Sequence, residues 1–477
     1  MPLDDSRASA SGVAADKAPY KNMREFIDKL EANGELVRVK APVSIEYEIG
    51  AICRKVLDGY GPALLFENPI GNGVPVAVNL TATRRRYAMA LNTTEQEVHQ
   101  EWISRTAKPI EPVLVETGPC KDNVMLGDEV DLYRFSMPTW NALDSGPYIT
   151  YPLHVSKDPD TGIPNLGLYR TQVFEKNLVG IAAAPYRHLM QHARKQRGPL
   201  PVALAIGCDP VVHIASIAPF QYGENEYAMA GGLRGEPVEL VRCETVPLEV
   251  PAESEIVLEG YLHMDRKREE GFFGEYTGYY GLKVARPTIE ITAITFRNDP
   301  IHLASYEGRP PQETVCTMAI PTEADILRLV PLPGIKKVHV TEAGCGSFNA
   351  IVSIEKRFEG YGKMVGLAVL GTWGGRLIKN LIVVDDDIDP FNRDAVDWAL
   401  ATRVQPHRDV EIIGDLVGVH LDPSLSEHER ATGHSRTSKM IIDATRYDKD
   451  NFEIVCEPKT DVMAAVLRDW SKYGIPG

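Results

Sequence analysis

The sequence predicts a multi-domain α/β chain with a β-rich centre, and three observations carry that prediction. Its 477 residues exceed the size at which a single hydrophobic core stops growing, so two or three domains are expected. Residues 21–112 and 321–477 alternate runs of helical and strand periodicity, whereas residues 113–320 read as short strands separated by Gly and Pro turns. Alternation of the first kind builds α/β layers, and a run of the second kind builds a barrel or a sandwich. A hydrophobic fraction of 44% beside 25% charged residues is that of a folded globular chain.

Taken in order, residues 1–20, rich in Ala, Ser and Asp, read as a flexible tail without the basic-then-apolar pattern of a secretion signal. In residues 22–33, Met23, Phe26, Ile27 and Leu30 fall at helical spacing, and Gly34 stands where a C-cap glycine belongs. LVRVKAPV, PALLFENP and VPVAVNL read as strands, and residues 46–56 and 94–104 as helices. KPIEPVL then begins a crossing near residue 112. The central strands are YITYPLHVSKD, PNLGLYRTQVF, LPVALAIG, VELVRCET, EIVLEGYLH, TIEITAITFR and PIHLASYEG. Beyond residue 320, KKVHVTEAG, FNAIVSIEK and KNLIVVDDD are strands, with helices at 361–370 and 393–402. A last helix over 460–473 carries Val462, Val466, Leu467 and Trp470 on one side, a stripe suited to its own domain or to a partner subunit.

Charge and cysteine usage narrow the function. A net charge of −15 argues against nucleic acid and anionic membranes as partners, both of which need basic patches. No run approaches the ~18 apolar residues of a membrane span. Seven dispersed cysteines, with no C-x-x-C pair, suit reduced thiols in a cytoplasmic protein. Walker, G-x-S-x-G and H-E-x-x-H motifs are missing, and Gly360, Gly362 and Gly366 miss the dinucleotide spacing.

Four stretches carry chemistry. In TGIPNLGLYRTQVF, Asn165 and Arg170 are five residues apart and would face opposite sides of a strand unless a bulge at Gly167 re-aims one of them. In EEGFFGEYTGYYG, Glu270 and Glu275 flank a glycine-rich turn, so both carboxylates can enter one pocket, where Arg170 favours ionisation of one and an apolar wall the neutral form of the other. Asn165, His188 and Glu226 offer an amide oxygen, an imidazole nitrogen and a carboxylate, a hard mixed set that suits Mn²⁺ or Mg²⁺. In HSRTSKMIIDAT, Lys439 can hold a phosphate as a point charge. Each also has a plain structural reading: a surface hairpin, a hydrogen-bonded histidine, a solvated lysine. Asp385 to Asp387 at a strand end read as caps.

Together these stretches, with GPALLFENP, PPQE and LIVVDDDID, resemble the UbiD family of prenylated-FMN-dependent decarboxylases. N-x-G-x-Y-R, E-G-x-x-G-E and S-K-M-x-x-D-A-T occur in that family's order, and the likeness runs from about residue 21 to the C-terminus. The resemblance implies an N-terminal α/β domain over 21–112, a split β-barrel prenylated-FMN-binding domain over 113–320, and a C-terminal α/β oligomerisation domain over 321–477. By resemblance, Asn165, His188 and Glu226 are ligands of a divalent cation, usually Mn²⁺, that anchors the cofactor phosphate, and Lys439 meets the same phosphate. Arg170, Glu270 and Glu275 match the catalytic network, with Glu275 as the acid/base. Leu168, Arg170, Ser216 and Pro219 join the cofactor set. Ala215, Ser216 and Ala218, with Glu226, match a K⁺ site, although Ile217 stands where the family has a second serine.

The implied activity is reversible, non-oxidative decarboxylation of an aromatic, heteroaromatic or α,β-unsaturated acid, or of an aryl-CoA thioester. Loss of CO₂ from an sp² carbon needs an electron sink, and the modified flavin provides one. The implied partners are the aromatic acid and CO₂, a flavin prenyltransferase that supplies the cofactor, and further copies of the chain in a dimer or hexamer. Two other readings stay open at this point: an FMN-dependent oxidoreductase on a similar split barrel, and a non-catalytic scaffold.

Overall fold

The computed structural model describes residues 20–71, 73–432 and 435–475. The tail expected over residues 1–20 lies, Tyr20 apart, outside the described residues. The first helix, Met23–Ala32, starts where the Asn22 side chain accepts hydrogen bonds from Arg24 N and Glu25 N, buries Met23, Phe26, Ile27 and Leu30, and is followed by Gly34 at φ 71°. Behind it lies a four-stranded sheet ordered Leu36–Val39, Ala63–Phe66, Val76–Val78 and His302–Ala304. The last of these strands was expected among the central ones. It pairs in parallel with Val76–Val78 instead, because periodicity marks a strand and not the sheet it joins.

The centre is a nine-stranded antiparallel sheet. Its path runs Pro164–Leu168, Leu153–Lys157, Leu200–Ile206, Ile256–Glu270, Val284–Phe296, Leu178–Ile181, Thr171–Glu175 and Tyr148–Ile149, with Asn123–Leu126 also on Val284–Phe296. Among the described residues the two ends of that path do not pair with each other. Two long strands, Ile256–Glu270 and Val284–Phe296, form its spine, and the hairpin they make closes at the Glu270–Val284 pair. Glu239–Arg242, expected in this sheet, lies in a separate three-stranded one with Val113–Leu114 and Glu249–Pro251.

Residues Glu313–Leu329 form a 17-residue helix that the periodicity did not reveal. Pro321 sits inside it, and its buried positions surround the axis rather than forming a stripe, so both usual signals are weak. It packs on Val98–Thr106 and on Ile335–Val340. Beyond it, five strands in the order Ile335–Val340, Asn349–Ile354, Asn380–Asp385, Arg436–Ala444 and Val410–Val417 form a mixed sheet, parallel in its middle. Asp385 and Asp387 do not cap a helix: Asn392 caps Arg393–Arg403, and both aspartates bind the buried Arg403 guanidinium at 2.9–3.0 Å.

Residues 446–475 fall in a second compact unit. It contains Thr460–Arg468, on which no residue is buried, and a 3₁₀ turn at Trp470–Tyr473. No helix among the described residues is long and apolar enough to cross a membrane.

Candidate active site

Arg170 stands at the break between strands Pro164–Leu168 and Thr171–Glu175, which pair with different neighbours. That break aims Asn165 and Arg170 apart. No bulge at Gly167 re-aims either side chain, since the register from Pro164–Lys157 to Leu168–Leu153 is unbroken. Gly167 serves another purpose: a Cβ there would lie 2.6 Å from the Tyr169 hydroxyl, so glycine leaves room for that ring.

Arg170 donates from Nε to Glu270 Oε1 at 2.7 Å and from Nη2 to Glu270 Oε2 at 2.9 Å, and from Nη1 to Glu275 Oε1. Glu270 is the last residue of its strand and Glu275 sits in the turn that follows. That turn is pinned by Gly271 N donating to Gln172 Oε1 at 3.1 Å and Gly274 N donating to Asp144 Oδ1 at 2.8 Å. Gly281 keeps the pair open, because a Cβ there would lie 2.7 Å from Glu275 Oε1. Arg286 Nε donates to Glu270 Oε2 at 3.1 Å. Sequence reading passed over Arg286. Its signal is the hairpin register, which makes it a diagonal neighbour of Glu270 once Val284 is known to pair with Glu270.

Both glutamates are buried. Burial pushes the Glu275 carboxyl up to about 7, against the pull of Arg170 and with the help of the Glu270 charge. Burial alone would lower Arg170, but Glu270 and Glu275 more than offset it and hold the guanidinium above its ordinary value. Glu275 therefore keeps its proton in the folded chain at pH values where the unfolded chain, with an ordinary value near ~4.3, has lost it. Its contribution to stability declines as pH rises from about 4.5 to about 7. Melting temperatures measured across that window are expected to shift in favour of Glu275→Gln over wild type as pH rises. A difference that does not change with pH would contradict this assignment.

The second cluster is built from three elements. Asn165 comes from strand Pro164–Leu168, His188 opens helix His188–Lys195, and Glu226 opens helix Glu226–Arg234, which Asn225 caps. His188 Nδ1 is 3.0 Å from Asn165 Oδ1 and 4.0 Å from Glu226 Oε1, and Leu166 N donates to Glu226 Oε2 at 3.1 Å. Asn165 Nδ2 is buried and has no partner among the described residues. Burial pushes Glu226 up to about 8, and it lowers His188 with help from Arg187 and Arg376. An amide oxygen, a neutral imidazole and a buried carboxylate that no Lys or Arg is seen to pair with among the described residues fit a hard divalent cation. No group of three or more His, Cys, Asp or Glu side chains that could hold a metal ion occurs among the described residues, and this cluster reaches three ligands only with the Asn165 amide.

Lys439 is buried on strand Arg436–Ala444, where its Nζ donates to Arg376 O. Burial and the Arg376 charge bring it down to about 8, and burial and Arg187 bring Arg376 to about 10. Arg187 and Arg376, which the motif reading omitted, thus add cations beside Lys439 and His188. The segment that the resemblance assigns to K⁺ ends helix Pro210–Ile217. Ser216 Oγ donates to His213 O at 2.7 Å and Ala218 N donates to Ala215 O at 3.3 Å, so this hydroxyl and this carbonyl are already used within the helix end. Leu168 and Pro219 are half-buried. One pocket lies against Arg170, Glu275, Tyr280, Arg286 and His420, and another lies against Asn165, His188 and Tyr222.

Three family models match in succession: the 3-octaprenyl-4-hydroxybenzoate carboxy-lyase N-terminal domain over residues 27–106, its Rift-related domain over 112–310, and its C-terminal domain over 315–444. The chain belongs to the UbiD family. Membership makes it an enzyme of the carboxy-lyase class with that family's three-domain α/β architecture. Among relatives of this UbiD-family chain, an uncharacterised protein of Archaeoglobus fulgidus is 35% identical over 457 residues, 90% of this chain and 93% of that protein. The UbiD-class enzyme HmfF of Pelotomaculum thermopropionicum, solved with FMN, is 35% identical at a TM-score of 0.83, over 93% of this chain and 99% of that one. Vanillic acid decarboxylase of Sedimentibacter hydroxybenzoicus is 32% identical at a TM-score of 0.85, over 95% of this chain and 99% of that one.

Proposed function

We propose that this UbiD-family chain catalyses reversible, non-oxidative decarboxylation of an aromatic, heteroaromatic or α,β-unsaturated acid, free or as an aryl-CoA thioester, with prenylated FMN. The observation that carries this reading is the closed Arg170–Glu270–Glu275 network, in which one buried carboxyl is held near neutrality. HmfF, solved with FMN and in an evolved dimeric form with prFMN, and a decarboxylase of vanillic acid support the cofactor and the substrate class.

The bound flavin would supply the electron sink that an sp² carbon lacks. Glu270 grips two guanidinium nitrogens of Arg170 and is itself held by Arg286, so the arginine cannot swing away. A guanidinium has five N–H donors and this network uses three of them. The remaining two can orient a substrate carboxylate. Glu275, whose carboxyl burial pushes up to about 7, would deliver its proton to the carbon that has lost CO₂. Asn165, His188 and Glu226 would hold Mn²⁺ or Mg²⁺ against the cofactor phosphate, with Lys439, Arg187 and Arg376 offsetting its charge. A K⁺ at Ala215, Ser216 and Ala218 would draw on lone pairs that their present hydrogen bonds leave over. Seven free cysteines, four of them buried, suit a cytoplasmic setting, and the evolved dimeric HmfF supports a homo-oligomer, dimer or hexamer.

The test is co-production with a flavin prenyltransferase followed by CO₂ release from a panel of aryl acids. Release that depends on the prenylated flavin is expected. Flavin reduction by NAD(P)H with no CO₂ release would point to an oxidoreductase instead.

A further inference from the structure

Asp144 is buried, and neither the reacting network nor the cation cluster uses it as a ligand or an acid. Its Oδ2 accepts from Trp140 N at 3.3 Å and from Asn141 N at 2.9 Å, and Asp144 N donates to Asn141 O at 3.0 Å, so this half of the residue closes its own turn. The other oxygen reaches 130 residues along the chain. Oδ1 accepts from Gly274 N at 2.8 Å, which sets the carboxylate against the residue that leads directly into Glu275. Burial raises Asp144 above its ordinary value, while the three N–H donors and the Arg170 charge pull toward the ionised form.

The loop that carries Asp144 is fastened on both sides. Toward helix Glu48–Leu57, Tyr47 N donates to Thr139 O at 2.8 Å, and Gly50 leaves room for Trp140 O, which a Cβ there would meet at 2.2 Å. Toward the catalytic turn, Ser145 N donates to Phe272 O at 2.9 Å, Phe272 N donates to Ser145 Oγ at 2.8 Å, and Leu143 N donates to Tyr280 Oη at 3.1 Å. Asn141 packs on Gly274 itself. A Cβ at Gly274 would lie 2.4 Å from Asn141 Nδ2, and that amide is fixed by donating to Glu307 O at 3.0 Å and accepting from Tyr306 Oη at 2.9 Å. Glu275 thus follows a peptide bedded on residues 139–145.

Charge adds a second consequence. The groups that face Glu275 are Arg170, Arg286, Glu270, Asp144 and Glu307, with the phenols of Tyr148 and Tyr276 beside them. Burial pushes Glu307 up to about 8 and both phenols above their ordinary range, so these three add no charge near pH 7. Glu270 is gripped by two guanidinium groups. The three hydrogen bonds to Asp144 come from uncharged backbone N–H groups, so its charge is left to act on its neighbours, and a like charge favours the protonated form of Glu275.

We propose that Asp144 is a positioning residue for the proton donor: its carboxylate locks the peptide before Glu275 onto residues 139–145, sets where Glu275 presents its proton, and by its charge helps to hold that proton there. The inference rests on the decarboxylase reading, in which Glu275 is the donor.

Two variants separate position from charge. Asp144→Asn keeps the shape, but its amide must turn an NH₂ group toward Gly274 N or toward the Trp140 and Asn141 donors. Gly274→Ala keeps the charge and drives a Cβ into Asn141. Prenylated-flavin holoenzymes are assayed for KM and for kcat per bound flavin across pH, and the Glu275 carboxyl is titrated by ¹³C NMR in glutamate-labelled protein, its signal assigned by its loss in Glu275→Gln. Both variants are expected to lower kcat at least about tenfold while KM changes less than about threefold. In Asp144→Asn alone, the Glu275 titration and the alkaline limb of kcat are expected to move down by about half a pH unit or more, because the anion that favoured the proton is gone. Wild-type kcat per bound flavin in either variant would overturn the proposal. So would a slow Asp144→Asn enzyme in which neither the titration nor the limb moves, since that is the mark of a loop carboxylate that serves the fold alone. A shifted Glu275 titration in protein that releases no CO₂ from any aryl acid supports the coupling of the two carboxyls and counts against the decarboxylase reading.

Discussion

A Glu275→Gln chain, produced with its cofactor, is expected to release CO₂ about a hundred- to ten-thousand-fold more slowly than wild type, with its fold intact. Glutamine keeps the shape and still accepts the hydrogen bond that Arg170 Nη1 donates to Oε1. It has no acidic proton for carbon. Because the wild-type carboxyl is already driven toward its neutral form, the neutral amide costs the fold little. Turnover should therefore collapse while melting temperature and substrate affinity stay near wild type. Full turnover in this variant would remove Glu275 from the role of proton donor.

Arg170→Met is expected to damage stability and activity together. The guanidinium is the hub of a buried network, and deleting one partner of a buried ion pair typically costs about 3–5 kcal/mol. Glu270 would keep Arg286, but Glu275 would lose the stronger of the two cations, Arg170 and Arg286, that oppose its upward shift. Its carboxyl would then hold its proton to still higher pH, and any residual activity should extend further into the alkaline range. The check is a clear drop in melting temperature together with a loss in kcat/KM exceeding that of Glu270→Gln, which leaves Arg170 its bond to Glu275. A variant as stable as wild type would show that the network is not under the strain of burial.

What the sequence disclosed and what it withheld follow from how far each signal reaches. Helix Met23–Ala32 was legible because four apolar residues and a trailing glycine are local facts. Glu313–Leu329 was not, since Pro321 reads as a break and its all-round burial leaves no stripe. Asn165, His188 and Glu226 are separated by 23 and 38 residues and sit on a strand and two helices, so only their order within a known motif pattern suggested a set. The structure brings them together. Arg286, Arg376 and His420 carry no motif of their own and reach the site across a hairpin or from the C-terminal sheet region, while Arg187 stands at the N-cap of the helix that His188 opens. The five-residue spacing already set Asn165 and Arg170 on opposite sides of a strand, and no bulge at Gly167 re-aims either: the chain parts them by ending one strand pairing and beginning another.

The most direct test of the account is decarboxylation in D₂O by the prenylated-flavin holoenzyme, followed by mass spectrometry and NMR of the product. The account predicts one deuterium at the carbon that bore the carboxylate, formed by wild type and almost absent with Glu275→Gln under the same conditions. Equal deuterium incorporation and equal rate in the two proteins would contradict it.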